Sequence, residues 1–415
     1  MIKPISSIRF SKIIFLFLFF LNPITGYSQS STELNNSGLA KYKARDYNGA
    51  ILDFNKAIEL NPQNEKAFHN RGLAKYGLKD FEGAIQDYNK AIALNAAYSN
   101  AYNDRGLASA KLKNYELALK DYNKAIELDA NFIMAYNNRA GIRMYLKDFD
   151  GAIKDYDKSI GLKPSDAEGY SGRANAKLSL KDYTGAITDY NKAIEFNPGM
   201  VIAYLNRGNA RYMLKNDEGA ILDFKKVAQL QPSNSNVYFN LGAIYSSHNK
   251  SQEAISAYRQ YNILEPKEWT GYKNMADIFY TQLMNFDSSA YYYKKAFQIK
   301  NNDKEIIERY GYSLLRLNKT NEAIEIFKNQ LALLPQDPSG YYNIGAAYSF
   351  GRKPNESISY LGQALEKRMS DLDLWQKDQN LDNVRLLDDF RSLVKKYFTK
   401  DELAKYPFLF TFTGR

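Results

Sequence analysis

The chain has 415 residues, a formal net charge of +10, 45% hydrophobic and 25% charged residues, which is the make-up of a folded protein facing water. It has no cysteine, which excludes disulfides, thiol catalysis and cysteine-ligated metals, and only two histidines, His69 and His248, lie far apart in the sequence. Three of the positive charges, Lys3, Arg9 and Lys12, fall in a short leader; the remaining excess is modest, forms no dense Lys/Arg run, and argues against a nucleic-acid partner.

Residues 1–28 read as a secretory signal peptide. They combine a basic start, an apolar run over residues 13–21, Pro23, and the small residues Gly26 and Ser28 at cleavage spacing. The run is far shorter than the roughly 20 residues a membrane-spanning helix requires. Cleavage before Gln29 is expected, leaving a mature protein without a membrane span in a periplasm or outside the cell. A lipid-modified amino-terminal cysteine is excluded by composition.

From Ser31 the sequence is periodic. Ala50, Ala84, Ala118, Ala152, Ala186, Ala220 and Ala254 recur every 34 residues, and the units start at Ser31, Glu65, Ser99, Ile133, Ala167, Val201 and Ser235. In the second unit, counted from Glu65, small residues stand at positions 8, 20 and 27 (Gly72, Ala84, Ala91) and large ones at 4, 17, 24 and 30 (Phe68, Phe81, Tyr88, Leu94). Ala84, Tyr88 and Ala91 form one stripe of a helix, and Phe68, Gly72 and Lys75 a similar stripe on a preceding helix. The unit is therefore two antiparallel helices with a turn near residues 78–80, closed by a proline or turn residue as at Pro62, Pro164, Pro198, Pro232, Pro266 and Pro335. Such a unit leaves an apolar face open until a neighbour stacks on it.

The eighth unit, from Trp269, is irregular. Its landmark becomes Ser289, one residue late, which places an extra residue in the turn near residues 284–287. The ninth unit restores the pattern with Gly311, Ala323, Phe327 and Pro335, and the tenth carries Tyr341, Gly345 and Ala364, with Pro354 at the start of its second helix. Beyond residue 370 the period is lost. Val384, Leu387, Phe390, Leu393 and Tyr397 suggest an amphipathic stripe, and Thr399 with Glu402 a capping box. This tail, residues 371–415, reads as a helical cap over the last open face. Residues 408–412 either tuck against the array or form a docking strand, and tucking is the favoured expectation.

The landmarks at positions 4, 8, 17, 20, 24, 27, 30 and 32 resemble the tetratricopeptide repeat (TPR) family over residues 31–370. The resemblance implies an all-α, right-handed superhelix of about ten helix-turn-helix repeats, whose concave groove usually binds peptides or proteins. It also implies that position 6 faces that groove. Here position 6 holds Asn36, Asn70, Asp104, Asn138, Gly172, Asn206, Asn240, Asn274, Arg309 and Asn343. The column resembles the asparagine ladder with which some superhelical TPR proteins grip an extended peptide, because an amide donates and accepts at once. Asn36, Asn70, Asp104, Asn138, Asn206, Asn240, Asn274 and Asn343 are thus the candidate peptide-binding residues. The two-carboxylate clamp of chaperone-binding relatives is not reproduced: Lys273 is followed by Asp277, and Arg309 stands where asparagine is needed.

Two further columns run in parallel. Position 7 is arginine in Arg71, Arg105, Arg139, Arg173 and Arg207, and position 23 is aspartate in Asp53, Asp87, Asp121, Asp155, Asp189 and Asp223; the seventh unit has Leu241 and Ala257. Their joint loss points to pairing, within a unit or across a boundary. The lysines at position 26 (Lys56, Lys90, Lys124, Lys158, Lys192, Lys226) follow three residues later and are expected to be solvated helix-face partners of the aspartates. No phosphate loop, zinc-binding helix motif or nucleophile elbow is present, and carboxylates are spread at repeat spacing. The expectation is a non-catalytic scaffold without cofactor or metal, binding a protein or peptide in its groove. The alternatives are a structural envelope component docking by its ends or convex face, and a binder of an anionic envelope polymer.

Overall fold

The computed structural model describes residues 30–411; the proposed leader and the last four residues lie outside it. First helices begin at Ser31, Glu65, Ser99, Ile133, Ala167, Val201, Ser235, Trp269, Lys304 and Pro338, each followed by an antiparallel second helix; no strand occurs among the described residues. The chain divides into two compact units, Met1–Leu162 and Lys163–Arg415. The first contains four helix pairs, and the second six pairs followed by short C-terminal helices.

The turn inside each pair is built the same way. After the first helix Ser31–Lys43, Arg45 takes a left-handed φ of 63°, the Arg45 N–H bonds to the Tyr42 carbonyl and the Asp46 N–H to that of Lys41, a Schellman closure. Lys79, Lys113, Lys147, Lys181 and Lys215 repeat it. Glycine would be the relaxed choice at this position, so each basic residue carries a small strain. The next residue caps the second helix: Asp46, Asp80 and Asn114 accept the N–H three residues on at 2.9–3.2 Å. Stop and start signals are adjacent, and the chain has to reverse there.

Small residues let the two helices of a pair touch. A Cβ built on Gly72 would stand 2.6 Å from the Tyr88 ring, and one on Gly242 2.7 Å from Tyr258. Ala84, Ala118 and Ala186 at position 20 and Ala91, Ala125 and Ala193 at position 27 are fully buried. The aromatic at position 24 fills what the small residues vacate: Phe54, Tyr88, Tyr122, Tyr190, Phe224, Tyr258, Tyr293 and Phe327 are all at most 2% exposed. Each such ring contributes about 2–3 kcal/mol of apolar burial.

In the eighth repeat the first helix ends at Thr281 and the second starts at Phe286, so residues 282–285 make a turn one residue longer than elsewhere, with Met284 left-handed. The helix itself stays in register, with Ser289 and Tyr293 fully buried. Past the tenth repeat, Trp375, Leu381, Val384, Phe390, Val394 and Leu409 form one core with Tyr342, Ala346, Leu361 and Leu365. The expected single stripe from Val384 to Tyr397 is broken: Val384 belongs to the short helix Asp382–Arg385, and Leu387, at the start of the helix Asp388–Tyr397, is 37% exposed. Thr399 and Glu402 do form a capping box. The tail tucks: Leu409 is fully buried, Phe408 donates its N–H to the Gln376 side chain, and residues 407–410 form turns. Arg385, also fully buried, donates to Asp382 and to the carbonyls of Asp378 and Leu409.

Replacing Ala118, which has no exposed surface, by leucine overfills a helix crossing and should cost about 1–3 kcal/mol. A urea or thermal melt of the variant that overlays the parent's would show that position 20 is not at a crossing.

Candidate interaction surface

The arginine and aspartate columns pair inside each repeat and reach one repeat back. Arg71 donates through Nε and Nη2 to both oxygens of Asp87 (2.9 and 2.5 Å) and through Nη1 to Asn55 of the preceding repeat (2.7 Å). Arg105 does the same with Asp121 and Asn89, and Arg139 with Asp155 and Asn123. In the second unit, Arg173 grips Asp189, and Arg207 grips Asp223 and Asn191. Each guanidinium also lies 5.4–5.5 Å from the aromatic ring three residues before it: Phe68, Tyr102, Tyr136, Tyr170 and Tyr204. The aspartates are nearly sealed from solvent, with side chains at most 4% exposed in these five pairs.

This geometry explains where the columns begin and end. In the first repeat position 7 is Ser37, and Asp53 takes Ser37 and Lys41 in place of an arginine. In the seventh repeat Leu241 follows Lys225, which replaces the asparagine and would repel an arginine. Two contributing columns were not singled out from the sequence: asparagine at position 25, and the base at position 11. Lys75, Arg143, Lys177 and Arg211 each add a contact of 2.7–2.8 Å to the same aspartate, whereas the third repeat has Ser109 there. The position-26 lysines do not supply these contacts. Lys124 and Lys192 instead pair forward with Glu127 and Glu195 at 2.6 and 2.8 Å on the exposed face, because the aspartates are already enclosed by arginine.

Within each unit the first helices of successive repeats touch, as for the first four repeats and for the fifth with the sixth. In the first unit position 6 bonds along this row to position 5 of the repeat before. The Asn70 amide donates to Asn35 at 2.9 Å, Asp104 accepts from His69 at 2.8 Å and from its neighbour Asn103 at 3.0 Å, and the Asn138 amide donates to Asn103 at 2.9 Å. The other ring nitrogen of His69 meets Tyr98, whose hydroxyl is pushed up to about 12 by burial and then by the charges of Glu65 and Asp104. In the second unit Asn206 donates to Asn175, which also accepts from Tyr190. Asn240 lines a small cavity of about 90 Å³ with Asn209, Tyr212 and Phe224; phenylalanine supplies no hydroxyl where Tyr190 and Tyr258 have one.

The eight candidate residues are therefore unequal. Asn36 is exposed, and Asp104, Asn138, Asn206, Asn240 and Asn274 are half-buried. Asn70 is buried, its amide nitrogen bonded to Asn35. Asn343 is only 3% exposed, bonded to Gln330 (3.0 Å) and accepting from Tyr312 (2.6 Å). Gln330, fully buried at position 27 where most repeats have alanine, needs these partners, and Asn343 consequently belongs to the interior of its unit. Position 6 of the ninth repeat, Arg309, joins a balanced network with Asp277, Glu305 and Lys273. No group of three or more His, Asp or Glu placed to hold a metal occurs among the described residues.

Family profiles described as TPR repeat match residues 38–79 and 174–215, and profiles described as tetratricopeptide repeat match residues 65–98, 99–132, 135–166 and 224–256. Among solved structures, the C-terminal part of a TPR repeat-containing protein from Cytophaga hutchinsonii is similar at 19% identity and a TM-score of 0.48, covering 58% of this chain and 98% of that one. The Pseudomonas aeruginosa protein pilF is similar at 18% identity and a TM-score of 0.45, over 49% of this chain and 92% of its own. YrrB, described as a TPR protein with an unusual peptide-binding site, is similar at 21% identity and a TM-score of 0.38, over 44% and 95%. No curated protein matches the chain significantly.

The clamp predicts an order of stabilities. Truncating Arg105 to alanine strips Asp121, whose side chain is 1% exposed, of its arginine with no position-11 base to replace it, and should cost roughly 3 kcal/mol or more. Truncating Arg139 leaves Asp155 paired with Arg143 at 2.7 Å and should cost clearly less. Denaturant midpoints of the two variants, measured side by side, check this; equal losses would mean that the position-11 base contributes nothing.

Proposed function

The chain belongs to the tetratricopeptide-repeat family, and from that premise we propose that it is a non-catalytic scaffold holding a peptide or protein partner on the row of its first helices. Proteins of this family mediate protein–protein interaction, and the observation that carries the reading is the contrast between the two sets of columns. The charged columns are consumed internally, each arginine bound by an aspartate and, in four repeats, by an asparagine as well. At position 6, Asn36, Asn138, Asn206, Asn240 and Asn274 keep exposed surface. A half-exposed amide that spends one N–H on its neighbour still has a second N–H and an oxygen for the backbone of a bound segment.

The other readings receive less support. Attachment to an anionic polymer requires free bases, and the arginines at position 7 with most bases at position 11 are already neutralised at 2.5–2.8 Å. Docking by the C-terminal end has to contend with a face already covered by the cap.

Changing Asn206, Asn240 and Asn274 of the second compact unit together to alanine removes up to three such amides. At about 0.5–1.5 kcal/mol per hydrogen bond, affinity for a partner recovered from the native host should fall roughly tenfold or more with helix content unchanged by circular dichroism. Binding preserved within about threefold would move docking through the ends or second-helix face ahead.

We also propose that the protein is exported, on the strength of residues 1–28. Among the described residues no helix is long and apolar enough to cross a membrane. Intact mass of the protein from its native host should correspond to a chain beginning near Gln29; full-length protein recovered from the cytoplasm would overturn the proposal.

A further inference from the structure

One first-helix glycine has no packing reason to be there. At position 8, Gly38, Gly72, Gly106, Gly208 and Gly242 each sit where a Cβ would strike the aromatic at position 24 of their own repeat. In the fourth repeat that task falls to Ala140, fully buried beside Tyr156. Gly141, the next residue, is exposed within the helix Ile133–Tyr145, and a Cβ built on it would meet no atom within 4 Å. Alanine would fit and would strengthen the helix, so the fold gains nothing from glycine at this point. An absent side chain on an exposed helix face does permit a second backbone to approach closely.

The residues around Gly141 say what would approach. Met134, Asn138, Gly141 and Tyr145 follow one another at i, i+4, i+7 and i+11, a single stripe of the helix. Met134 is 60% exposed and Tyr145 64%, among the most exposed apolar side chains of the first unit. Asn138 lies between them with one amide N–H given to Asn103. The charged members of this helix, Arg139 and Arg143, are turned to Asp155. In a chain that is one-quarter charged, this stripe carries no charge.

We infer that this face of the fourth repeat is the anchoring subsite for an uncharged stretch of partner polypeptide: its backbone runs over Gly141, its apolar side chains rest on Met134 and Tyr145, and its amide groups meet Asn138. The occupant follows from charge matching, since an acidic or basic segment would leave its charges without partners on this stripe. The inference rests on the first-helix row being the binding face and adds which repeat anchors and what chemistry it reads.

A display library of random 12-residue peptides, selected on the purified protein, supplies the probe. The recovered peptides should be uncharged and rich in aromatic or aliphatic residues. Gly141→Ala and Tyr145→Ala should each weaken them fivefold or more, while Gly141→Ala raises the melting temperature by about 2 °C. That opposition of sign is what a merely structural glycine would not give. Recovery of mainly acidic or basic peptides, a loss below fivefold in either variant, or no peptide binding tighter than 100 µM overturns the inference. If the peptides ignore Gly141 and Tyr145 but are lost when Asn206, Asn240 and Asn274 are changed to alanine, the wider binding face stands and this subsite falls. If they ignore both sets, both readings fall.

Discussion

The constraint on which the structure depends is the close approach of two helices within each 34-residue unit. It calls for little or no side chain at positions 8 and 20, an alanine in most repeats at position 27, and, in every repeat but the tenth, a ring at position 24 to fill what remains, as Gly72, Ala84, Ala91 and Tyr88 do in the second repeat. Once that crossing is set, the turn follows, because two 13- to 14-residue helices that touch along their length leave only three residues to reverse the chain. A left-handed residue and a helix cap are the compact way to do so. The strain at Lys79 and its counterparts is the local cost of a turn that cannot be longer without shifting the crossing. The eighth repeat shows the alternative: the longer turn at residues 282–285 carries the extra residue, and Tyr293 keeps its place in the core.

Stacking of repeats uses a different chemistry. Between units the apolar contact is supplemented by the arginine clamp, in which one planar guanidinium satisfies an aspartate of its own repeat and an asparagine of the one before, over the face of an aromatic ring. Buried ion pairs of this kind add little net stability once desolvation is counted, but they punish any misplacement. A repeat slipped by one residue would bury an aspartate with no partner. The clamp therefore fixes register in a chain whose near-identical units could otherwise stack in several frames.

Much of this was legible in the sequence because it is periodic: the small residues, rings and paired columns recur, and recurrence exposes them without any coordinates. The direction of pairing was not legible. Arg71 lies 16 residues before Asp87 of its own repeat and 18 after Asp53 of the repeat before, so spacing alone favoured neither. The asparagine at position 25 leaves one mark in the sequence, Lys225, which takes that position just before the arginine column is broken at Leu241. Position 6 was legible as a column but not in its burial. Asn343 differs from Asn138 because a glutamine, Gln330, stands fully buried at position 27 beside it, a departure that only the packing makes meaningful. In the tail, where the period ends, the apolar pattern runs on from Val384 to Tyr397 although the helix breaks at Leu386 and Leu387, because such a break leaves no mark in an apolar pattern.

These separate chemistries bear on function through what they leave unused. Free columns of arginine and aspartate would attract charged ligands, yet these columns are spent on one another and on register. The first-helix row is left with amides that bond sideways to one another, as Asn138 does to Asn103, and still present surface. A face of that kind is poor at long-range attraction and suited to short-range matching of backbone groups, so affinity has to come from contact along several repeats. Point anchors then matter more than net charge. A repeat whose exposed stripe lacks charge and contains a glycine the fold does not need is where such an anchor would be felt most.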